Sequence, residues 1–284
     1  MNIELEKVYS GKVRDLYQID EKRLLMVATD RLSAFDVVFD DMIPGKGEIL
    51  TQMSNSWFSF FQEDIPNHFT GESVYNILSE EQAKLFEKRA VVIKKLTPVK
   101  VEAVVRGYIA GGGWKEYQQT GMISGIHLSK GLKLAQELPE VIFTPSTKAE
   151  VGDHDESIDF QTMSNLIGVD LAKEISTRSV QLYQKASEYA KTKGIIIADT
   201  KFEFGIDENG VLTLMDEVLT PDSSRFWDIN TYRVGQEPLS FDKQYIRNWL
   251  ESIDWNKKPP TPQLPKEIVE QTQKRYQKIY DLLF

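Results

Sequence analysis

Every second residue of Asp199-Thr200-Lys201-Phe202-Glu203 is charged, in a stretch that opens with the apolar run Ile195-Ile196-Ile197. Successive strand side chains point to opposite faces. A strand here therefore carries Asp199, Lys201 and Glu203 on one side and Thr200, Phe202 and Phe204 on the other. Next, Asp207-Glu208-Asn209-Gly210 has the composition of a hairpin turn, because Asn and Gly tolerate positive φ. A two-residue loop at Asn209-Gly210 sets Asp216 opposite Glu203, and one at Glu208-Asn209 sets it opposite Lys201. Both registers put Asp216 on the charged face. Facing carboxylates repel unless something positive lies between them. A divalent cation bridging to a phosphate would serve, and Mg2+ is typically held by one or two carboxylates in this way. A solvated outer face with charges placed for solubility is the other reading of the same alternation.

Cations elsewhere stand beside glycines or strand ends. In Gly11-Lys12-Val13-Arg14-Asp15 the two cations share one face of an extended chain, just past a glycine that allows close backbone approach. Such a segment suits a polyphosphate, and equally a hairpin turn with surface cations. It is not a Walker A loop, whose G-x-x-x-x-G-K-[ST] pattern the chain lacks. Pro44-Gly45-Lys46-Gly47 is a second basic glycine turn, or an ordinary loop before a helix. Arg106 ends an apolar strand ahead of Gly111-Gly112-Gly113, a triple glycine that signals a sharp turn or close approach. Asp222-Ser223-Ser224-Arg225 places another arginine after a short polar turn. Anion-binding cations beside metal-holding carboxylates point to phosphoryl-transfer chemistry.

These residues need elements to hold them. Residues 13–19 and 24–29 read as strands around the polar turn Asp20-Glu21-Lys22, and 90–95 and 99–105 as two more, divided by Thr97-Pro98. Met53, Trp57 and Phe60-Phe61 recur at helical spacing over 51–62. The stretch 141–160 is mostly polar after Phe143 and without a clear period, so it is expected to be a long structureless stretch, either functional or disordered, with closure as a lid left open. Helical periodicity covers 160–192, with Gly194 as a stop. Four prolines from Pro259 to Pro265 mark an extended connection, and the last segment reads as a helix packed back on the body. The natural division is a β-rich lobe of residues 1–99 and a larger lobe of residues 100–284.

Composition sets the outer bounds. A chain of 284 residues can bury a large core, and 41% hydrophobic with 27% charged residues is ordinary for a soluble globular protein. A net charge of −9 argues against nucleic-acid and membrane-surface binding. With no cysteine and three histidines, disulfides and thiolate metal sites are excluded and a His-rich zinc site is improbable. No signal-peptide core opens the chain, and a cytoplasmic location is expected.

The motifs together resemble one family. Ile197-Ala198-Asp199-Thr200-Lys201-Phe202-Glu203-Phe204-Gly205 is similar to the D-x-K-x-E-F-G signature of SAICAR synthetase. Gly11 to Asp15, Val104-Val105-Arg106, Lys148 with His154-Asp155, Asp216-Glu217 and Pro221 to Asp228 follow in family order. The resemblance runs from about residue 9 to 250, and the length of 141–160 looks like the longer, eukaryote-type branch. It implies a two-lobed α+β fold, a small mainly antiparallel β lobe over a larger sheet-and-helix lobe, with ATP in the cleft. The implied activity is an ATP-dependent ligase of purine biosynthesis. It joins the carboxylate of carboxyaminoimidazole ribonucleotide (CAIR) to the amine of L-aspartate through an acyl phosphate.

Carried over by position, Gly11, Lys12, Val13 and Arg14 would cradle ATP phosphates and Glu102 would contact its nucleoside. Glu203 and Asp216 would hold Mg2+, and Asp199 and Lys201 would face the reacting groups. Arg106, Gly112, Arg225, Arg247, Lys148 and His154 would bind substrate. One position departs from the family: Gly112 stands where a serine is expected, so a backbone N–H of Gly112 or Gly113, or a bound water, would replace its hydroxyl. The sequence assigns no base for the aspartate amine and leaves monomer and dimer open. A small-molecule kinase, or a nucleotide-binding regulatory protein without turnover, are the alternative readings.

Overall fold

The computed structural model describes residues 3–148 and 156–284. Apolar runs separated by polar turns build a first antiparallel sheet from β1 (Lys7–Ser10), β2 (Arg14–Gln18) and β3 (Arg23–Ala28). The turn between β2 and β3 closes on Asp20, whose carboxylate accepts the N–H groups of Lys22 and Arg23. A separate hairpin, β4 (Arg31–Ala34) and β5 (Val37–Met42), leads to α1 (Lys46–Phe60). The short α2 (Glu80–Phe86) then returns the chain through β6 (Ala90–Lys94), giving the order β1-β2-β3-β6.

Helix α1 begins five residues earlier than its apolar spacing implies. Its cap is remote: the Asp30 carboxylate accepts from the N–H groups of Gly45 (3.1 Å) and Gly47 (2.9 Å). Gly45 takes φ 76°, and a Cβ on Gly47 would lie 2.7 Å from the Ala28 carbonyl oxygen. The basic glycine turn is thus a helix start pressed against β3.

The second sheet starts at β7 (Thr97–Pro98) and β8 (Val101–Tyr108). Next come α3 (Gly111–Thr120), the small hairpin β9 (Met122–Ile123) and β10 (Ile126–His127), then β11 (Glu137–Phe143) and β12 (Ser146–Thr147). Helices α4 (Phe160–Ile167) and α5 (Val169–Thr192) cover one face. The chain closes with β13 (Ile195–Ile206), β14 (Leu212–Met215), β15 (Ser224–Asp228), α6 (Gln244–Ser252) and α7 (Lys266–Leu283). The order is β11-β8-β13-β14, with β12 on β8 and both β7 and β15 on β13, all antiparallel. This is the expected α+β arrangement of a small antiparallel sheet beside a larger sheet with helices.

Two expectations are corrected. The helix over 160–192 is broken at Gly168, which adopts φ 90° between α4 and α5. The stretch 141–160 is not structureless where it is described: β11 runs to Phe143, and Ser146 pairs with Glu102 of β8. Among the described residues no helix is long and apolar enough to cross a membrane.

Strand β13 is central, and its apolar face builds the main core. Phe202 and Phe204 pack with Trp57 of α1 and Phe61 just past its end, Leu182 and Ala186 of α5, and Ile279 and Leu283 of α7. Ile195 and Ile197 join the same core, although strict alternation would send them to the other face. A bulge between Ile197 and Asp199 in the pairing with β15 switches the parity.

The β1–β2 connection is held by Asp15, only 5% exposed. Its carboxylate accepts from Ser10 Oγ (2.7 Å), Lys7 Nζ (3.0 Å) and Arg31 Nη2 (2.7 Å). Burial alone would push its pKa up; the donors Arg31, Ser10 and Lys7 override that and hold it at about 2. A carboxyl depressed on folding contributes stability in full above its unfolded pKa of about 4, lost as pH falls towards 2. Acid titrations of stability should therefore be shallower between about pH 4 and pH 2 for Asp15→Asn than for the wild type. An unchanged slope in circular dichroism melts across that window would refute this.

Candidate active site

Asp199, Lys201 and Glu203 share one face of β13, as their alternation implies, but Asp199 and Glu203 are buried, Lys201 is partly exposed, and each charge is matched by residues outside β13. Asp199 lies opposite Arg106 of β8 and Arg225 of β15. Its carboxylate accepts from Arg106 Nη1 (3.1 Å) and Arg225 Nη1 (2.7 and 2.9 Å). Lys201 Nζ bonds Glu102 of β8 and sits 3.5 Å from Glu203 Oε1, while Lys148 bonds Glu203 Oε2. Burial works against the Lys201 ammonium, yet Glu203 and Glu102 outweigh it and raise its pKa. Burial likewise works against the Glu203 carboxylate, and Lys201 and Lys148 outweigh it and hold its pKa low. Lys201 is therefore a fixed cation at neutral pH, and Glu203 a fixed anion.

The hairpin register differs from both two-residue alternatives. Glu203 pairs with Met215 and Ile206 with Leu212, so the loop spans residues 207–211. The Asp207 carboxylate closes it by accepting the N–H groups of Asn209 and Val211. That register would turn Asp216 away from the charged face. A φ of 63° at Asp216 brings it back instead. Its carboxylate accepts from Arg14 Nη1 at 3.0 and 3.2 Å, and Arg14 Nη2 lies 2.6 Å from Glu217 Oε2. Burial pushes the Asp216 carboxyl above its ordinary pKa; Arg14 opposes this, while Glu203 and Glu217 add to it.

Arg14 thus fastens the first sheet to the end of β14. The turn before it is rigid: Gly11 N–H donates to Arg14 O (2.7 Å), Thr29 N–H donates to Val13 O (2.9 Å), and Arg31 Nη2 donates to Gly11 O (3.0 Å). Lys12 reaches outward and meets Asp36.

The triple glycine opens α3 beside the two arginines. Gly111 adopts φ 52°, and a Cβ there would lie 1.9 Å from Arg225 Nη2. A Cβ on Gly113 would lie 3.3 Å from Arg106 Nε. At Gly112 a Cβ would meet no heavy atom of the described residues within 4 Å, so the family's serine has room at this position. The leading N–H groups of a helix lack partners inside it and carry partial positive charge. With Arg106 and Arg225 they make a strongly anion-attracting corner. Arg247 belongs to the same corner: burial lowers its pKa, and neighbouring Arg225 lowers it further. His154 lies outside the described residues.

The reading of Lys46 as an anion-binding cation of a basic glycine turn is corrected: the structure buries it in a cluster around Asp222. Lys46, wholly inaccessible, places Nζ 2.7 Å from Asp222 Oδ2, close enough for an ion pair though poorly angled for a hydrogen bond. Lys243 Nζ lies 3.3 Å from the same oxygen, and Tyr276 Oη donates to Asp222 Oδ1 at 2.7 Å. Burial pushes Lys243 down to about 8; Asp222 resists, and Lys46 and Arg247 add to the fall. Glu217, quoted with Asp216 among the family motifs, was given no role in the sequence reading; the structure pairs it with Arg14. Lys46 was noticed as a cation but not as a buried one, because a lysine between two glycines reads as exposed.

The family model described as SAICAR synthetase matches residues 7–262. A phosphoribosylaminoimidazole-succinocarboxamide synthase of Neisseria meningitidis serogroup C is 63% identical over 281 residues, spanning 99% of this chain and 98% of that one. The SAICAR synthase of Saccharomyces cerevisiae, solved in complex with SAICAR, superposes with TM-score 0.88 at 45% identity, covering 98% of this chain and 94% of that one. A SAICAR synthetase solved in complex with ADP superposes with TM-score 0.72 at 28% identity, covering 97% of this chain and 96% of that one. The chain belongs to the SAICAR synthetase family. The expected eukaryote-type branch is not borne out, since relatives at about this identity include bacterial enzymes from Neisseria and Pasteurella.

The three glycines should respond differently to substitution. Gly111→Ala drives a methyl group into Arg225 at a positive φ and should cost about 1–3 kcal/mol in chemical denaturation. Gly112→Ser, in open space, should leave the denaturation midpoint nearly unchanged. Equal effects at the two positions would contradict this geometry.

Proposed function

We infer that the chain is an ATP-dependent ligase that joins the carboxylate of CAIR to the amine of L-aspartate, giving SAICAR, ADP and phosphate in purine biosynthesis. The observation that carries this is the buried charged face of β13, where Lys201 stays cationic between Glu102 and Glu203 while Asp199 orients two arginines. Family membership and relatives named as this synthase over nearly their full length support it.

A carboxylate is a poor acyl donor because its leaving group would be oxide. ATP removes that obstacle: a carboxylate oxygen attacks the γ-phosphorus, ADP departs, and an acyl phosphate forms. The aspartate amine then attacks the acyl carbon, the C–N bond forms, and phosphate leaves with the C–O bond electrons. Lys201 stabilises the charge that builds on the transferring phosphoryl group; a cation held so firmly cannot serve as a base. Asp199 keeps Arg106 and Arg225 on the nucleotide's phosphate or carboxylates, with Arg247 beside them and the N–H groups of Gly112 and Gly113 completing the corner. The Gly11–Arg14 turn, with Lys12 as its outward cation, lies at the ATP phosphates, and Glu102 lies at the nucleoside.

Burial pushes Asp216 towards protonation and Glu203 and Glu217 add to it, while Arg14 on Asp216 and Lys148 and Lys201 on Glu203 already supply positive charge, so a divalent cation here would have to compete with them. Mg2+ bound by Glu203 and Asp216 would screen the phosphate oxygens. Lys148, held on Glu203, and His154 complete the substrate assignments. We read residues 1–99 as the ATP-binding lobe and 100–284 as the substrate lobe, with ATP in the cleft between them and the reaction in the cytoplasm.

The direct test is phosphate release from ATP and Mg2+ with CAIR, with and without L-aspartate. Release should depend on aspartate, and Lys201→Ala should lower kcat by about 10²–10³. Release indifferent to aspartate would reject the ligase and favour a small-molecule kinase.

A further inference from the structure

The family match ends at residue 262, whereas α7 runs from Lys266 to Leu283. Most of that helix is packing: Ile279 and Leu283 enter the main core, and Tyr189 Oη donates to Leu283 O at 2.5 Å. Tyr276 differs. Its ring is fully buried with Ile49, Leu50 and Tyr280, and its hydroxyl emerges from that packing onto Asp222 at 2.7 Å.

Asp222 sits in a turn that joins both halves of the proposed site. Upstream, Thr220 bonds Glu217, the partner of Arg14. Thr220 O accepts the N–H groups of Ser223 (3.1 Å) and Ser224 (2.9 Å), and the next residue is Arg225. Four elements converge on the one carboxylate: its own turn, Lys46 at the start of α1, Lys243 before α6, and Tyr276 of α7. Lys243 and Arg247 stand one helical turn apart, so the carboxylate's orientation also sets the face that α6 presents.

The two carboxylate oxygens are not equivalent. Oδ2 takes the two lysines and Oδ1 takes the tyrosine hydroxyl. Without that hydroxyl, Oδ1 is a buried anionic oxygen missing its donor, and the carboxylate is drawn to rotate between two ammonium groups. Rotation would move the turn carrying Arg225 and the helix carrying Lys243 and Arg247 together. The β1–β2 turn that carries Lys12 has no bond to Asp222; it is tied to Thr29 and Arg31, and the Asp222 turn reaches Arg14 only through Thr220 and Glu217.

We propose that Tyr276 is a positioning residue, which locks Asp222 and thereby sets Arg225, Lys243 and Arg247 for the phosphate-bearing nucleotide substrate. This rests on the ligase reading above. Tyr276→Phe keeps the ring and removes the hydroxyl, and Tyr189→Phe removes a hydroxyl bond that anchors the end of the same helix far from Asp222. With full-length enzyme, KM for CAIR, KM for ATP, kcat and the melting temperature should be measured for both variants. Tyr276→Phe should raise KM for CAIR about tenfold and leave KM for ATP unchanged. Tyr189→Phe should lower the melting temperature without altering either KM. If Tyr276→Phe binds CAIR as the wild type does, or if both variants raise KM for CAIR alike, the positioning role is wrong although the ligase stands. A wild type without aspartate-dependent turnover would overturn the ligase and this inference with it.

Discussion

Asp199 and Glu203 can be buried, and Lys201 partly buried, on one strand face only because neighbouring segments deliver the opposite charge to each. Arg106 and Arg225 meet Asp199, Glu102 meets Lys201, and Lys148 meets Glu203. Removing both arginines from Asp199, the most enclosed of the three, would leave an uncompensated interior charge, at a cost of about 3–5 kcal/mol. That penalty fixes the placement of β8 and β15 against β13 more tightly than apolar packing alone, which tolerates adjustment. Glu102 and Arg106 lie four residues apart on β8 and so share its face towards these partners. The same constraint that holds the sheet in register fixes the positions of the charged groups on which the proposed function rests.

How much was legible beforehand depended on whether a signal was local. The alternating Asp-Lys-Glu stretch, strands β2 and β3, and the apolar stripe of α1 all declare themselves within a few residues. The family motifs added roles that alternation could not. The hairpin register failed because it depended on a five-residue loop closed by the Asp207 carboxylate and on a left-handed backbone at Asp216, neither of which Asn-Gly signals. The start of α1 was misplaced because its cap, Asp30, comes from before the β4–β5 hairpin. Lys46 lay hidden because its partner stands far along the chain. Long-range electrostatics leaves no period to read.

Adjacent glycines carry different lessons although the sequence writes them alike. Gly111 is demanded by backbone sign and by the guanidinium pressed against it, whereas Gly112 faces open space. A glycine at the family's serine position is therefore a choice of hydrogen-bond donor, not a steric necessity. The helix start supplies backbone N–H groups at the same place, which is why the position can lose a hydroxyl and keep an anion-binding character.

The contact from Arg14 to Asp216 spans 202 residues. During synthesis the first sheet leaves the ribosome with its arginine facing no carboxylate from the segment after β14, and the central strand β13 is made after two of its four partners, β7 and β8, and before β14 and β15. β8 and β11 can pair early, but they wait on an edge that only β13 fills. Nascent chains that stop short of the 207–211 hairpin can hold much of their secondary structure while lacking the charges that close the site. Binding of the phosphorylated nucleotide is then a late event, available only to chains that are nearly complete.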